Sequence, residues 1–157
     1  MKPLHQLSIG IASDHAGYEL KQKVAAWLEA RNASGYDYGT HSTDSCDYAD
    51  YAHPLAKAVE NGACDFGIAI CGSGNGINMT VNKHQGIRSA LCWNEELVAL
   101  ARQHNNANIL ALPARFIPED LALKMVEIFF NTDFEGGRHE RRIAKIPCQN
   151  EETTQEN

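Results

Sequence analysis

The stretch that decides the fold runs from Phe66 to Gly76 and reads Phe-Gly-Ile-Ala-Ile-Cys-Gly-Ser-Gly-Asn-Gly. A short apolar run that ends abruptly in glycine predicts a strand buried on both faces of a parallel sheet, because a helix would need about 10 or more residues. The residues from Ile77 onward contain few helix breakers. We therefore expect Cys71 at the carboxyl end of a strand, followed by a glycine turn and a helix.

The turn after Cys71 has the composition of an anion site. Glycines at positions 72, 74 and 76 let the backbone approach a ligand and direct its N–H groups towards one point, and a helix N-terminus adds partial positive charge. The same groups would stabilise a thiolate, so Cys71 is a candidate base or nucleophile. The alternative is an inert cysteine packed beside a tight turn, since free cysteines are commonly buried.

The rest of the chain alternates between strand and helix patterns, which favours a parallel sheet covered by helices on both faces. The helix that Asn94 can cap is expected to bury Leu97, Leu100 and Ala101. The predicted strands are 7–13, 34–38, 66–70, 87–92 and 109–112. Five helices are predicted: one that ends near residue 32, one at 51–60, one after residue 76, one after residue 94 and one at 118–131.

Composition limits the possible functions. The chain has 157 residues, 43% of them apolar, which suits one domain, and its net charge of -6 disfavours nucleic acid or an anionic membrane as a partner. Five scattered cysteines without C-x-x-C spacing predict neither a disulfide framework nor a zinc site. The absence of a signal-peptide pattern and of about 20 consecutive apolar residues predicts a cytoplasmic protein. Residues 148–157 are polar and acidic and are predicted to be a disordered tail after a domain spanning 1–147.

Ligands of open α/β sheets bind at the carboxyl ends of the strands. This rule groups Asp14 and His15 with the segment 71–76 and with Arg115. His104 ends a helix in a segment, 102–106, that is too polar for deep burial, so it is a candidate for proton transfer as well as for a core histidine. The glycine spacing matches neither a dinucleotide fingerprint nor a P-loop, which makes a nucleotide or flavodoxin-like module the weaker interpretation.

Seven short motifs occur along the chain: Asp14-His15-Ala16-Gly17, Asp47-Tyr48, Ile70-Cys71-Gly72-Ser73-Gly74-Asn75-Gly76, Asn82-Lys83, Gly86-Ile87-Arg88, Arg102-Gln103-His104-Asn105 and Glu135-Gly136-Gly137-Arg138-His139-x-x-Arg142. In order and spacing this set resembles the type B ribose-5-phosphate isomerases, and the similarity runs from about Leu7 to Ile146. The agreement of so many motifs makes the resemblance specific.

The resemblance implies a Rossmann-like three-layer α/β/α sandwich with a five-stranded, mostly parallel sheet. It also implies interconversion of ribose 5-phosphate and ribulose 5-phosphate, a step of the pentose phosphate pathway, without a metal or an organic cofactor. Allose-6-phosphate and galactose-6-phosphate isomerases share the pattern, so the reaction is implied more firmly than the sugar. Such enzymes are usually homodimers or dimers of dimers with shared active sites.

By position, Cys71 matches the family's catalytic base and His104 the residue that opens the sugar ring. Ser73 is expected to relay a proton between the two reacting oxygens. Where the cysteine is missing, the family places a glutamate at the position of Ile77, which cannot act as a base here. The matched substrate and phosphate contacts are Asp14, His15, Gly72, Ser73, Gly74, Asn75, Gly76, Asn105, Arg115, Arg138 and Arg142.

Two alternatives remain for the matched residues. The scaffold could belong to a sugar-phosphate-binding protein without catalytic activity. Arg138 and Arg142 lie four residues apart, so one helical turn would place both on one side, either as a phosphate clamp or as a solvated basic face.

Overall fold

The computed structural model describes residues 1–149, so nearly all of the predicted tail lies outside the described residues. Five strands form one sheet in the order β2-β1-β3-β5-β4, and the four strand pairs are parallel. The predicted Rossmann-like α/β fold with a five-stranded sheet is confirmed. After a 3-10 turn at Leu4–Gln6, the elements are β1 Ser8–Ser13, α1 Tyr18–Glu29, β2 Ser34–Asp37, α2 Tyr48–Glu60, β3 Phe66–Cys71, α3 Asn75–Val81, β4 Ser89–Leu91, α4 Glu95–Gln103, β5 Ile109–Pro113, α5 Glu119–Asn131 and α6 Arg138–Ile143.

The two faces of the sheet carry side chains of different size. One face presents large aliphatic residues such as Ile11, Ile68 and Leu110, which pack in one cluster with residues of α1, α4 and α5. The opposite face presents small residues such as Ala12 and Ala69 beneath α2 and α3. Successive strand residues point to opposite faces, so this alternation builds the three layers.

Helix α2 approaches the sheet closely because β1 and β3 carry glycines beneath it. A Cβ atom on Gly10 would lie 2.6 Å from Leu55 Cδ1, and one on Gly67 would lie 3.1 Å from the same atom. Larger side chains at these positions would force the helix outward. This close packing fixes the start of α2, which borders the carboxyl edge of the sheet.

A buried lysine holds the loop that follows β2. Lys21 is fully buried, and its Nζ donates to Asp37 Oδ1 and to the backbone oxygen of Thr40, each at 2.5 Å. The Thr40 amide in turn donates to the Ser13 carbonyl at 2.8 Å, which extends the β1–β2 pairing beyond the strand ends. The polar loop from residue 40 onward therefore leaves the sheet at a fixed point.

Several predicted boundaries and part of one predicted apolar face were wrong. Helix α2 begins at Tyr48 instead of Tyr51, and β4 is shorter than predicted. Helix α4 buries Val98, Ala101 and Arg102, whereas Leu97 and Leu100 are only half-buried. The burial of Arg102 contradicts the expectation that the segment 102–106 is too polar for the interior.

Arg102 can be buried because aromatic rings and backbone oxygens surround it. Its guanidinium carbon lies 5.1 Å from the centre of the Phe66 ring, and its nitrogens donate to the carbonyls of Thr132 and Ala107. Burial, with a smaller contribution from Arg88, lowers its pKa to about 10. Sequence patterns do not reveal such a position, because they treat every arginine as exposed.

Within residues 1–149, no helix is both long enough and apolar enough to cross a membrane.

We expect Gly10→Val to lower the free energy of unfolding by about 1–3 kcal/mol, because the new side chain overpacks the contact with Leu55. Gly35→Val on the exposed edge strand β2 is the matched control, since a Cβ there meets only Leu28 Cδ1 at 4.0 Å. The control should change stability by no more than about 0.5 kcal/mol. Urea unfolding of both variants measures the difference, and equal losses would contradict close packing of α2.

Candidate active site

The loop after β3 is tied to the neighbouring strand. The amide of Ala114 donates to the Cys71 carbonyl and the amide of Arg115 donates to the Gly72 carbonyl, both at 2.9 Å. These bonds continue the β3–β5 pairing past Cys71, which pairs with Pro113. Cys71 is 4% exposed and lies in the cluster beneath α2 and α3. The predicted position of Cys71 at the carboxyl end of a buried strand agrees with the structure.

The glycine turn leaves no space for side chains at two positions. Gly74 has φ +75°, and a Cβ there would overlap Leu91 and lie 3.2 Å from the Pro113 nitrogen. A Cβ on Gly76 would overlap the ring of Tyr48. The turn leads into α3, whose first-turn amides have no intrahelical partner. Ser73 and Asn75 lie exposed in the same turn, where the Ser73 hydroxyl accepts from the Asn75 amide at 3.3 Å.

Tyr48 is a neighbour of this turn to which the sequence analysis gave no role. It is the first residue of α2, is 42% exposed and covers Gly76. The Asp47-Tyr48 motif was the only signal for it in the sequence. The contact exists because the tertiary structure places the start of α2 against the start of α3.

Asp14 and His15 lie beside the loop of β3, as the rule for strand ends predicted. The Asp14 amide donates to the Ile70 carbonyl at 3.2 Å, and Asp14 Oδ1 accepts from the Gly17 amide at 3.0 Å. His15 Nδ1 accepts from the Cys46 amide at 3.2 Å. Because Nδ1 is an acceptor, the neutral ring carries its proton on Nε2, which leaves that N–H free to donate.

Arg115 completes the group at the carboxyl edge. A Cβ on Gly72 would lie 3.3 Å from Arg115 Cδ and 3.4 Å from its Nη1, so the arginine passes directly over the turn. The buried Ile77 packs beneath α2 and presents no ionisable group here. The structure thus brings together the predicted residues Asp14, His15, Cys71, Gly72, Ser73, Gly74, Asn75, Gly76 and Arg115 at one edge of the sheet.

The remaining predicted residues form a second group, which does not join the first. His104 follows the last residue of α4, and Asn105 comes next; Arg88 Nε donates to the Asn105 carbonyl at 3.1 Å. Arg138 and Arg142 are exposed on α6, four residues apart on one short helix. The Glu135 amide donates to the Gln103 carbonyl at 3.0 Å, which ties the segment before α6 to the end of α4.

The two groups lie at opposite edges of the sheet. Arg102, two residues before His104, packs on Phe66, which is the first residue of β3, whereas Cys71 is its last. Five residue steps along a strand correspond to about 16 Å at roughly 3.3 Å per residue. A helix that follows a parallel strand returns to the amino edge of the sheet, so the end of α4 and the end of β3 point in opposite directions.

Two residues around His104 received no role from the sequence. The ring of His139 stacks on that of His104 with centroids 4.3 Å apart and planes 13° apart. Glu135 Oε2 lies 3.9 Å from His104 Nε2 and 3.6 Å from His139 Nε2. Burial, followed by the charges of His104 and Arg138, lowers the pKa of His139, although Glu135 opposes this effect. The four-residue spacing of Glu135 and His139 was the signal in the sequence that could have predicted that these two side chains lie together.

Two other thiols belong to the interior. Burial raises the pKa of Cys92 to about 12, and burial likewise raises the pKa of Cys64, which lies 3.6 Å from the Tyr38 hydroxyl. Neither thiol is suited to form a thiolate near neutral pH. Cys46 is half-buried near His15 and Cys148 is exposed, so Cys71 is the cysteine that lies directly before the glycine turn.

Comparison with known proteins gives consistent matches over almost the whole chain. The profile of the Ribose/Galactose Isomerase family matches residues 9–146. A probable ribose-5-phosphate isomerase B of Mycoplasma genitalium is 43% identical over 148 residues, which cover 93% of this chain and 97% of the relative. The crystal structure of a ribose 5-phosphate isomerase of Thermotoga maritima is similar with a TM-score of 0.90 and 48% identity, covering 91% and 99% of the two chains. A Mycoplasma genitalium ribose-5-phosphate isomerase B with bound ribulose-5-phosphate gives a TM-score of 0.87 and 43% identity, covering 90% and 94%.

We expect Gly74→Ala to loosen the turn after Cys71. Gly62→Ala is the matched control, because Gly62 also has a positive φ, +84°, but open space where a Cβ would stand. Both variants should lose about 1–2 kcal/mol of stability from backbone strain. Only Gly74→Ala should also raise the hydrogen-exchange rates of the Ala114 and Arg115 amides, which bond to the turn. Unchanged exchange at both amides would contradict this expectation.

Proposed function

The chain belongs to the ribose/galactose isomerase family, and from that premise we propose that it interconverts ribose 5-phosphate and ribulose 5-phosphate. It is an aldose-ketose isomerase, as its named relatives are. The observation that carries the proposal is the position of Cys71, a single thiol at the end of the central strand, directly before a glycine turn that leads into the N-terminus of α3.

Cys71 is proposed as the base of the isomerisation. The reaction moves a proton between C1 and C2 of the open-chain sugar through an enediolate. A thiolate next to backbone amides can remove the proton, and the amides of residues 72–76 can stabilise the oxygen on which negative charge develops. Such a donor contributes about 3–4 kcal/mol in other enzymes. Ser73 is exposed in this turn and would relay a proton between the two oxygens.

Asp14 and His15 are proposed to hold the sugar above Cys71. The Asp14 carboxylate is anchored by the Gly17 amide, so its second oxygen remains available to accept from a sugar hydroxyl. The His15 ring presents Nε2–H as a donor because the Cys46 amide occupies Nδ1. Arg115 crosses the turn and supplies a positive charge at the same edge.

His104 and Asn105, with Arg138 and Arg142, are proposed to contact the substrate from the side opposite Cys71. Ribose 5-phosphate is mostly a closed ring in water, so an acid-base group must open it before isomerisation, and a histidine suits this step. The phosphate keeps its charge throughout, and two exposed guanidinium groups on one helix can clamp it.

The separation of the two groups supports an oligomeric enzyme. A five-carbon sugar phosphate is far shorter than the strand that separates Cys71 from the end of α4 within one chain. We therefore propose a homodimer or a dimer of dimers, in which each site combines two groups of residues. The carboxyl-edge group of one copy consists of Asp14, His15, residues 71–76 and Arg115, and the amino-edge group of another copy consists of His104, Asn105, Arg138 and Arg142. Closed two-fold symmetry would create two identical sites.

Two alternatives differ in the ligand or in the class of protein. Allose 6-phosphate or galactose 6-phosphate would use the same proton transfer in a deeper pocket, and the depth would depend on the loop that begins at Thr40. A sugar-phosphate-binding protein without turnover would keep the phosphate contacts and have no use for Cys71. The proposal includes no metal and no organic cofactor.

We expect purified protein to isomerise ribose 5-phosphate faster than allose 6-phosphate or galactose 6-phosphate, with and without a chelator. Coupled assays for each ketose product measure the three rates. Preference for a six-carbon sugar would retain the reaction and change the substrate. Binding of all three sugars without turnover would establish the binding protein instead, and loss of activity in chelator would contradict the proposal of metal-free catalysis.

We expect Cys71→Ser and His104→Asn to be inactive alone and active when mixed. In a shared-site dimer of the two variants, one site carries both substitutions and the other carries neither. Co-refolding at equal amounts should therefore restore about one quarter of the wild-type activity, from the statistics of a two-fold dimer. Activity measured before and after co-refolding gives the result.

The control for this experiment is Cys148→Ser, which removes an exposed thiol and should remain fully active. Each inactive variant should still bind ribose 5-phosphate in calorimetry, which shows that its fold is intact. An active Cys71→Ser protein would remove Cys71 as the base. Inactive mixtures of two folded variants would show that each site lies within one chain.

A further inference from the structure

We propose that His139 is a positioning residue that holds the ring of His104 for the ring-opening step. The inference rests on the proposed function and assigns a role to a residue that touches His104 instead of the substrate. It is carried by the stacked pair of rings, the burial of one of them and the one carboxylate that, within residues 1–149, lies beside both.

The stacking geometry restricts the motion of His104. The rings lie nearly parallel, with centroids 4.3 Å apart, and His139 is 6% exposed whereas the His104 side chain is 38% exposed. His139 is therefore fixed by its surroundings, and His104 lies against it at the surface. The His139 ring thus forms a flat platform. The ring of His104 can slide parallel to it but cannot rotate through it, which defines the plane in which the His104 nitrogens transfer protons.

The charges around His139 disfavour a proton on its ring. Glu135 on the preceding loop is the carboxylate within 4.0 Å of both rings, while Arg138 and Arg142 of α6 and His104 at the end of α4 disfavour a second positive charge on His139. Two protonated imidazoles at stacking distance would repel each other. His139 thus serves as a neutral platform for His104, the ring to which the proposed function assigns the proton transfer.

A metal ion explains the cluster less well. The ligand atoms of His104, Glu135 and His139 lie within 4.8 Å of one another, and imidazole and carboxylate are zinc ligands. The lone pairs of an imidazole lie in the plane of its ring, however, and planes that are 13° from parallel and stacked do not meet at a shared ion. The neighbouring arginines also oppose a cation.

The step itself involves a balanced proton transfer. The C1–O4 bond breaks, the hydroxyl on C1 loses its proton as the aldehyde forms, and the ring oxygen gains a proton to become the C4 hydroxyl. His104 would carry that proton from one oxygen to the other. Both oxygens must lie within hydrogen-bond reach of the ring, so a change in ring orientation lowers the rate of this step and leaves the C1–C2 proton transfer at Cys71 untouched.

Two rates separate these steps. Ribose 5-phosphate must be opened before it isomerises, whereas ribulose 5-phosphate has no free hydroxyl with which to close a five-membered ring. Exchange of its C1 proton with solvent deuterium therefore reports removal of the proton without ring opening. The variants are His139→Ala, which removes the platform, and His139→Phe, which retains a flat stacking ring. Arg141→Ala, an exposed change on the same helix, is the control.

We expect His139→Ala to slow isomerisation of ribose 5-phosphate about tenfold to a hundredfold relative to the C1 exchange rate, which is part of the roughly 10²–10⁴-fold contribution of acid-base catalysis. His139→Phe should recover most of this ratio, and Arg141→Ala should keep the wild-type ratio. Both rates falling in parallel, or a His139→Phe variant as impaired as His139→Ala, would overturn the inference. A wild-type protein without turnover of ribose 5-phosphate would overturn the proposed function, a result distinct from either of these.

Discussion

The parallel pairing of β3 with β1 and β5 is the constraint on which the rest of the structure depends. Its register places Ile68 between Ile11 and Leu110, and it continues beyond the strand through the bonds from Ala114 and Arg115. The turn after Cys71 is therefore held in place by hydrogen bonds that extend the sheet. Cys71, the residue proposed as the base, would then lose little freedom when substrate binds, which is a requirement for efficient proton transfer.

The unequal faces of the sheet determine what surrounds that turn. Small residues in β1 and β3 allow α2 to lie close to the sheet, and the first residue of α2, Tyr48, then closes over Gly76. The buried Lys21 holds the loop that leads into α2. Packing far from the turn thus shapes its opening. A core substitution such as one at Gly10 would therefore change the geometry around the turn as well as the free energy of unfolding.

The connection rules of parallel sheets separate the two groups of polar residues. Each helix after a strand begins at the carboxyl edge and ends at the amino edge, so the start of α3 and the end of α4 must lie on opposite sides of the molecule. The amino-edge group is well ordered by its own contacts: Arg88 holds the loop of Asn105, and Glu135 and His139 surround His104. Under the proposed function, a complete sugar-phosphate site combines one group from each of two copies of the chain.

Sequence patterns were sufficient to predict the fold class, the place of Cys71 and the grouping of Asp14, His15 and Arg115. Strand period, glycine spacing and the strand-end rule depend on short segments or on chain connectivity, so they can be read without tertiary contacts. The motifs added the family, and with it His104 and the two arginines of α6. Only the tertiary structure decided that Arg102 is buried, that Tyr48 covers Gly76 and that His139 stacks on His104. These contacts join residues distant in the chain, and their energies come from packing that no local pattern encodes; helix boundaries such as the start of α2 shift for the same reason.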